Sequence, residues 1–466
     1  MQIPILSGIY TDQNSDFRTS YPRNLIPVPK ENGVANGYLR PAEGIVQIND
    51  VPGVDRGGIN WNGICYRVCG DRLIKISDDG TVTVIGEVGG TGFCNFDYSF
   101  DYLAINSKPY LYLYNNSMGI KRIVDVDLGD VNDVIWVDGY FMTTDGSYLI
   151  ITELNDPFQV NPLKYGSSEV DPDPINALFK LRNEVYALNR YTIEVFSNVG
   201  GDNFPFSRID GAMSTRGTLA ANTCCLFLDT IAFLGSGKNE PISIYLSANG
   251  TSQKIATREI DQILRNYTED QLTRCLVESR ILDGHQWLYI HLPDKTLVYD
   301  AAASQATNQQ VWFFLCSGFG ENRYLAQNHV WCYDKWIVGH PEQNKIGTLT
   351  NKLGEHWGEV VEWVFSTSII YNESHGAIFH QLELVSLSGR AIFGESPAIC
   401  TQYSIDGIEW SNPKYIAAGK TGQRDKRLVW FQQGHMNNWR IQKFTGTSES
   451  RLSISRLEAQ IEPLGV

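Results

Sequence analysis

Trp61-Asn-Gly-Ile-Cys-Tyr-Arg-Val-Cys-Gly70, then Leu73-Ile-Lys-Ile76, then the turn Asp78-Asp79-Gly80, then Thr81-Val-Thr-Val-Ile85, is the stretch on which the reading of this chain turns. Three strand-like runs sit between residues 61 and 85, separated by Gly-Asp and Asp-Gly turns that tolerate positive φ. The same meander recurs along the chain, near Ile59–Val88, Phe93–Val126, Val134–Leu163, Ile175–Ile209, Leu219–Ile260, Leu276–Leu315 and Tyr324–Leu349. A β-meander repeating at roughly forty residues builds a propeller, a rigid body that presents surfaces and often carries no chemistry. The units share pattern rather than identity. Tyr102-Leu-Ala-Ile-Asn106 and Pro109-Tyr-Leu-Tyr-Leu-Tyr114 alternate as strands do, and Val134 to Thr144 reads as a hairpin around Asp138-Gly139. The count is six or seven blades, with seven the better fit.

Outside the repeat the character changes. Residues 1–45 hold Pro4, Pro22, Pro27, Pro29 and Pro41 among many Asn and Gly, and predict an extended arm with few strands that joins another surface. Ile260-Asp-Gln-Ile-Leu-Arg265 has helical apolar spacing, and Thr268-Glu-Asp-Gln-Leu272 predicts a capped second short turn. After residue 354 come longer alternating strands: Trp363–Tyr371, Phe379–Val385, Ile399–Ile405, Arg427–Phe431, Trp439–Phe444 and Leu452–Leu457. Six such strands suit a β-sandwich-like platform. The expected class is all-β, with an arm at 1–45, a β-propeller at 46–354 and a β-sandwich at 355–466.

Composition agrees with packed sheet. Among 466 residues there are 23 Tyr, 20 Phe and 11 Trp, and only 19% of residues are charged. No run of about eighteen apolar residues exists, so no membrane anchor is expected, and Met1-Gln-Ile-Pro-Ile-Leu6 lacks a signal-peptide core. Folding in a cytoplasm is the expectation. The nine cysteines are odd in number, lie mostly inside apolar runs and form no zinc spacing, which predicts buried free thiols.

The net charge of −14 is unevenly spread. Residues 1–354 hold 28 Lys/Arg against 40 Asp/Glu, whereas residues 414–443 hold seven basic groups and one acid, Asp425. So acidic a body should not grip nucleic acid, because phosphate contact needs positive charge. The basic segment reads either as a strand edge kept from aggregating by its cations or as a dock for an acidic partner. Its members are Arg424, Lys426, Arg427, Arg440 and Lys443, with Trp430 and Trp439 as anchors.

No catalytic pattern emerges. Ser77-Asp-Asp-Gly80 and Ser404-Ile-Asp-Gly-Ile-Glu-Trp410 approach the Asp-box of sialidase propellers, but such a box only pins a hairpin. A carbohydrate-binding or sialidase-like propeller is the alternative reading, and it would need arginines gathered at one place. Eight scattered histidines form no metal motif, and phosphate-loop, dinucleotide and nucleophile-elbow patterns are missing. No enzyme, metal or cofactor is expected.

Several short pieces, taken in order, resemble one family. They are Tyr38-Leu-Arg-Pro-Ala-Glu-Gly44, Tyr66-Arg-Val-Cys-Gly70, Ile255-Ala-Thr-Arg-Glu-Ile260, Ile263-Leu-Arg-Asn-Tyr-Thr268, Ile290-His-Leu-Pro293 and Leu297-Val-Tyr-Asp-Ala301. Ser304-Gln305, Asp425-Lys-Arg427, Val429-Trp430 and Gly434 complete the set. Together they resemble the packaged-DNA stabilisation protein, or tail hub (nozzle), of short-tailed, podovirus-type bacteriophages. The resemblance implies a virion tail protein assembled in the host cytoplasm, a homohexamer below the portal and the adaptor (head-to-tail connector) ring. It implies that the ring closes the DNA channel, stabilises packaged DNA and passes it on ejection. It also implies a tail needle or plug below, tailspike or tail fibre proteins alongside, and transient contact with translocating DNA. The basic segment 414–443 and the arm would then meet the adaptor.

Overall fold

Asn62 and Gly63 both lie at positive φ, 52° and 77°. This is the two-residue turn whose twist matches that of the strands it joins. It connects Asp55–Trp61 to Ile64–Cys69, and Arg72–Ile76 and Val82–Glu87 complete an antiparallel four-stranded sheet. Asp138-Gly139, Asn249-Gly250 and Asp283-Gly284 make the same positive-φ pair in later units. The computed structural model describes residues 1–11, 16–29, 37–201, 203–372, 375–391 and 394–464. The stretches 12–15 and 30–36 of the expected arm lie outside these.

Seven antiparallel sheets follow one another, six of four strands and one, 217–254, of five: 55–87, 95–122, 133–167, 175–214, 217–254, 276–315, and 327–350 with one strand from elsewhere. These are blades 1 to 7, and they settle the count at seven. The first strands of neighbouring blades meet around the axis. Alternate residues of each strand enter the cores between blades; Val68, Leu73, Leu103 and Ile105 fill the space between blades 1 and 2. Burying each such side chain stabilises by ~1.5–3 kcal/mol.

Blade 7 is closed by the N-terminal strand Gly44–Asp50, which pairs with Lys345–Thr350 in the register Gly44↔Thr350 to Asp50↔Lys345. The ring is thus shut by residues roughly three hundred positions apart, and the cost of that loop closure grows only slowly with length.

Each seam between blades carries polar contacts as well as apolar packing. Between blades 1 and 2, Arg56 donates to Ser107 Oγ (2.6 Å). Asp133 at the start of blade 3 accepts from Asn95 Nδ2 of blade 2 (2.9 Å) and from Leu178 N–H of blade 4 (2.8 Å). Asn176 donates to Thr218 C=O, and Asn222 to Cys275 C=O, across the next two seams. Glu278 of blade 6 accepts from the N–H groups of Asn328 and His329 in blade 7. At the closing seam Asn328 donates to Asp55 (2.6 Å), which also holds the buried Arg67 in a two-pronged ion pair at 2.8 Å.

The expected helices form as Arg258–Leu264 (α1) and Glu269–Thr273 (α2), and Thr268 and Gln271 cap α2 reciprocally. A third, Ala301–Thr307 (α3), is N-capped by Asp300. Its single run of small residues carries no amphipathic period, so sequence reading passed over it.

Two sheets face each other in the C-terminal part. One joins Ala377–Leu387, Leu428–Phe431 and Ser453–Pro463 to the N-terminal strands Gln2–Ile3, Leu25–Pro29 and Gly37–Pro41. The other contains Glu362–Ser366, Ala398–Ser404, Lys414–Ala417 and Trp439–Thr447. Ile3, Leu39, Phe365, Phe379, Phe444 and Leu457 share their common core. The N-terminal segment is richer in strand than its prolines predict, because its partners come from the other end of the chain. Leu25–Pro29 sits at a sheet edge, where Pro27 and Pro29 forfeit no ladder bond.

Candidate docking surface

The basic segment divides in two once folded. Arg424 and Lys426 are exposed on a turn that precedes Leu428–Phe431. Arg427 is also exposed, but its guanidinium is engaged by Glu383 of the neighbouring strand, at 2.8 and 2.5 Å. That pair holds the Glu383 carboxyl below its ordinary range.

The other half turns inward, which corrects the expectation that both tryptophans and all five cations face a partner. Trp430 is 2% exposed, packs edge-on against Phe444 and donates its indole N–H to Lys414 C=O. Strand alternation sends Trp430 into the sandwich and Phe431 outward. Arg440 is fully buried. It donates to Gln433 C=O (2.7 Å) and Gln442 Oε1 (2.8 Å), and lies over the rings of Phe379 and Tyr403 at 4.2 and 4.0 Å. With no carboxylate among these contacts, burial drives its guanidinium below the ordinary value. Trp439 and Lys443 are half-buried. Trp439 meets Phe17 edge-on, and Lys443 sits over the Trp410 ring at 4.2 Å. The structure therefore brings Arg424, Lys426 and Arg427 to one outward turn and uses Trp430 and Arg440 as core.

The turn Ser404–Trp410 behaves as a pinned loop. Asp406 Oδ1 accepts from the N–H groups of Ile408 and Glu409 and from Ser404 Oγ, all at 2.9 Å. Thr11 of the paired strands Gly8–Thr11 and Phe17–Ser20 donates to Asp406 C=O. The same strand pair sends Tyr10 OH to Glu259 on α1 (2.9 Å), so it acts as a strut between sandwich and propeller. A second joint is Pro22–Asn24. Arg23 pairs with Glu362, while Asn24 N–H reaches Phe314 C=O at the rim of blade 6.

Buried arginines in the propeller are consumed by carboxylates, Arg67 by Asp55 and Arg280 by Glu43 (2.5 and 2.8 Å), rather than converging on a cavity. All nine cysteines are free and eight are buried. Burial pushes the thiols of Cys65, Cys94 and Cys316 up to about 11. The buried His356, bonded to Ser317 Oγ at 2.8 Å, is pushed down to about 4 and is neutral. No described helix is long and apolar enough to cross a membrane. Sequence reading missed several outward apolar side chains: Phe100 (90% exposed), Val124 and Val126 (97%) on connections within and after blade 2, and Leu163 on the last strand of blade 3. An apolar residue in a strand-like run reads as core until its side of the sheet is known.

The family model described as "Bacteriophage P22 Gp10, beta-propeller" matches residues 1–354, and that described as "Bacteriophage P22 Gp10, beta-sandwich" matches residues 362–462. The chain belongs to the bacteriophage P22 Gp10 family. A relative, the tail hub protein gp10 of Salmonella phage P22, is 26% identical over 482 residues, covering 99% of both chains. The family is thus that of a phage tail hub protein. Among solved structures, the Pan2 WD40 domain of Neurospora crassa aligns with a TM-score of 0.41 at 9% identity, over 64% of this chain and 89% of that one. PorZ of Porphyromonas gingivalis aligns at 0.40 and 10% identity, over 79% and 46%.

Proposed function

We propose that this chain forms a ring at the base of a short-tailed phage's DNA channel, closing it after packaging and passing the genome on ejection. The observation that carries the proposal is the match, end to end, to a phage tail hub protein. Six copies tile through their sandwich platforms, which both chain ends build. The outward turn Arg424–Arg427 docks on an acidic face of the adaptor ring above, and a separate needle or plug seals the opening below. Tailspike or tail fibre proteins attach at the side. The acidic propeller, net −12 over residues 1–354, repels DNA passing near it and keeps friction low. Since Arg427 is already held by Glu383, Arg424 and Lys426 supply the free charge. The chain performs no catalysis in this role.

The test compares phage particles made with and without the protein. Heads should package DNA and then lose it when the protein is missing, and purified protein should restore full heads. Particles that keep their DNA without it would exclude the sealing role. For the dock, Arg424→Glu with Lys426→Glu should weaken binding to adaptor-bearing heads at least tenfold at low salt, with the loss smaller at high salt. Unchanged binding would remove that turn from the interface.

A further inference from the structure

Glu278, His291 and His329 meet at the seam between blades 6 and 7. Glu278 lies on the first strand of blade 6, Leu276–Leu282, and His291 on the next strand, His285–His291. His329 comes from the first strand of blade 7, Gln327–Cys332. In the blade 6 register Leu276 opposes His291 and Glu278 opposes Tyr289, so Glu278 and His291 are diagonal neighbours on one face. Glu278 Oε1 lies 2.7 Å from His291 Nε2 and 2.8 Å from His329 Nδ1. One ligand atom from each residue falls within 4.8 Å of the others.

The three groups are held as ligands are held. The Glu278 carboxylate is aimed by the N–H groups of Asn328 (3.1 Å) and His329 (2.7 Å). His291 Nδ1 is 3.0 Å from Thr296 Oγ1, an outer partner that orients the ring. Tyr289 stacks on His329 at 4.8 Å and on His291 at 6.0 Å, which fixes both imidazoles. The His329 side chain is fully buried, yet neither ring nitrogen makes a well-directed hydrogen bond to any described residue. Its Nδ1 is close to a carboxylate but badly angled for N–H···O. A buried polar atom in that condition calls for an ion or a water. An ion bound at about 2.0–2.1 Å to each group would set neighbouring ligands roughly 3.3 Å apart, so Glu278 must withdraw from both imidazoles and the two imidazole nitrogens must draw together from within 4.8 Å.

We propose that Glu278, His291 and His329 form a divalent-cation site of the zinc class, binding one ion that fastens blade 6 to blade 7. Two imidazoles and one carboxylate suit Zn²⁺, Co²⁺ or Ni²⁺; Mg²⁺ and Ca²⁺ prefer oxygen cages. Solvent reaches the cluster through Glu278, whose side chain is 13% exposed, and water takes the remaining position. The seam lies beside the one shut by Asn328, Asp55 and Arg67, so the ion strengthens ring closure where the chain ends meet.

The experiment uses the full chain, stripped with a chelator and titrated with Zn²⁺ by calorimetry, with Co²⁺ as a spectroscopic probe. One ion per chain should bind and raise the melting temperature. His329→Ala and His291→Ala should abolish both effects, Glu278→Gln should weaken binding at least tenfold, and the exposed His435→Ala should change nothing. Absence of binding to the folded wild type, or equal stoichiometry in His329→Ala, overturns the proposal and leaves a hydrogen-bonded pin. Should the histidine variants not fold, X-ray absorption on the Zn²⁺-loaded wild type decides: two imidazoles in the coordination shell support the site, and fewer overturn it.

Discussion

At the scale of single residues, the propeller depends on charges placed where water does not reach. Arg67 and Asp55 are both fully buried and share two hydrogen bonds, and burial together with Asp55 shapes the charge on the arginine. Arg67→Met leaves Asp55 without its counter-charge and should destabilise the chain by about 3–5 kcal/mol, read as a fall in urea midpoint. Asp133 makes the opposite case. Burial outweighs its three hydrogen bonds and pushes its carboxyl from 3.8 up to about 6. The folded chain therefore holds the Asp133 proton more tightly than the unfolded chain does. Its stabilising share is full below pH 3.8 and is lost as pH rises through about 6. Two pH units correspond to at most about 3 kcal/mol. Asp133→Asn should remove this slope: measured at pH 4 and pH 7, the stability difference between variant and wild type should shift in favour of the wild type at the lower pH.

At the scale of elements, the turns and strand crossings make separable demands on glycine. Gly63 has φ +77° with open space beside it, so Gly63→Ala costs only backbone strain, about 1–2 kcal/mol. Gly339 lies at the end of the second strand of blade 7, and a Cβ there would stand 2.2 Å from Asp55 Cγ. Gly339→Ala must displace the Asp55–Arg67 pair and should cost at least about 3 kcal/mol. Paired denaturation curves check the ordering; equal losses at the two sites would refute it. The Asn-Gly and Asp-Gly turns were visible in sequence because their signal is local. The Asp55 contact was not, since positions 55 and 339 reveal no relation until the ring closes.

At the scale of the whole molecule, the two chain ends are built into each other. Gly44–Asp50 is the fourth strand of blade 7, and Gln2–Ile3, Leu25–Pro29 and Gly37–Pro41 complete the large sheet of the sandwich. Deleting residues 1–50 removes a strand or more from both bodies and uncovers Phe379, Leu457 and Ile346. The truncated chain should lose its cooperative thermal transition and become sensitive to protease throughout, as seen by circular dichroism and limited proteolysis. A sharp transition near the full-length temperature would show that the N-terminal strands are dispensable.

The meander of six or seven units, the sandwich strands, the two helices with the cap of the second, and the family resemblance were legible in the sequence, because period-two alternation, turn chemistry and caps are written over a few neighbouring residues. The docking surface was only half legible. Arg424, Lys426 and Arg427 stand outward on one turn, but Trp430 and Arg440, chosen from the same run, are core. Which face of a strand meets solvent depends on the sheet packed against it: Trp430 meets Phe444, and Arg440 meets Phe379, each from the opposite sheet of the sandwich. Tertiary structure alone decided three things: which strand closes blade 7, which charges are paired in the dark, and that Glu278, His291 and His329, spread over fifty residues, come within reach of a single ion. Each is a contact between residues far apart in the chain, and short-range sequence pattern carries no term for it.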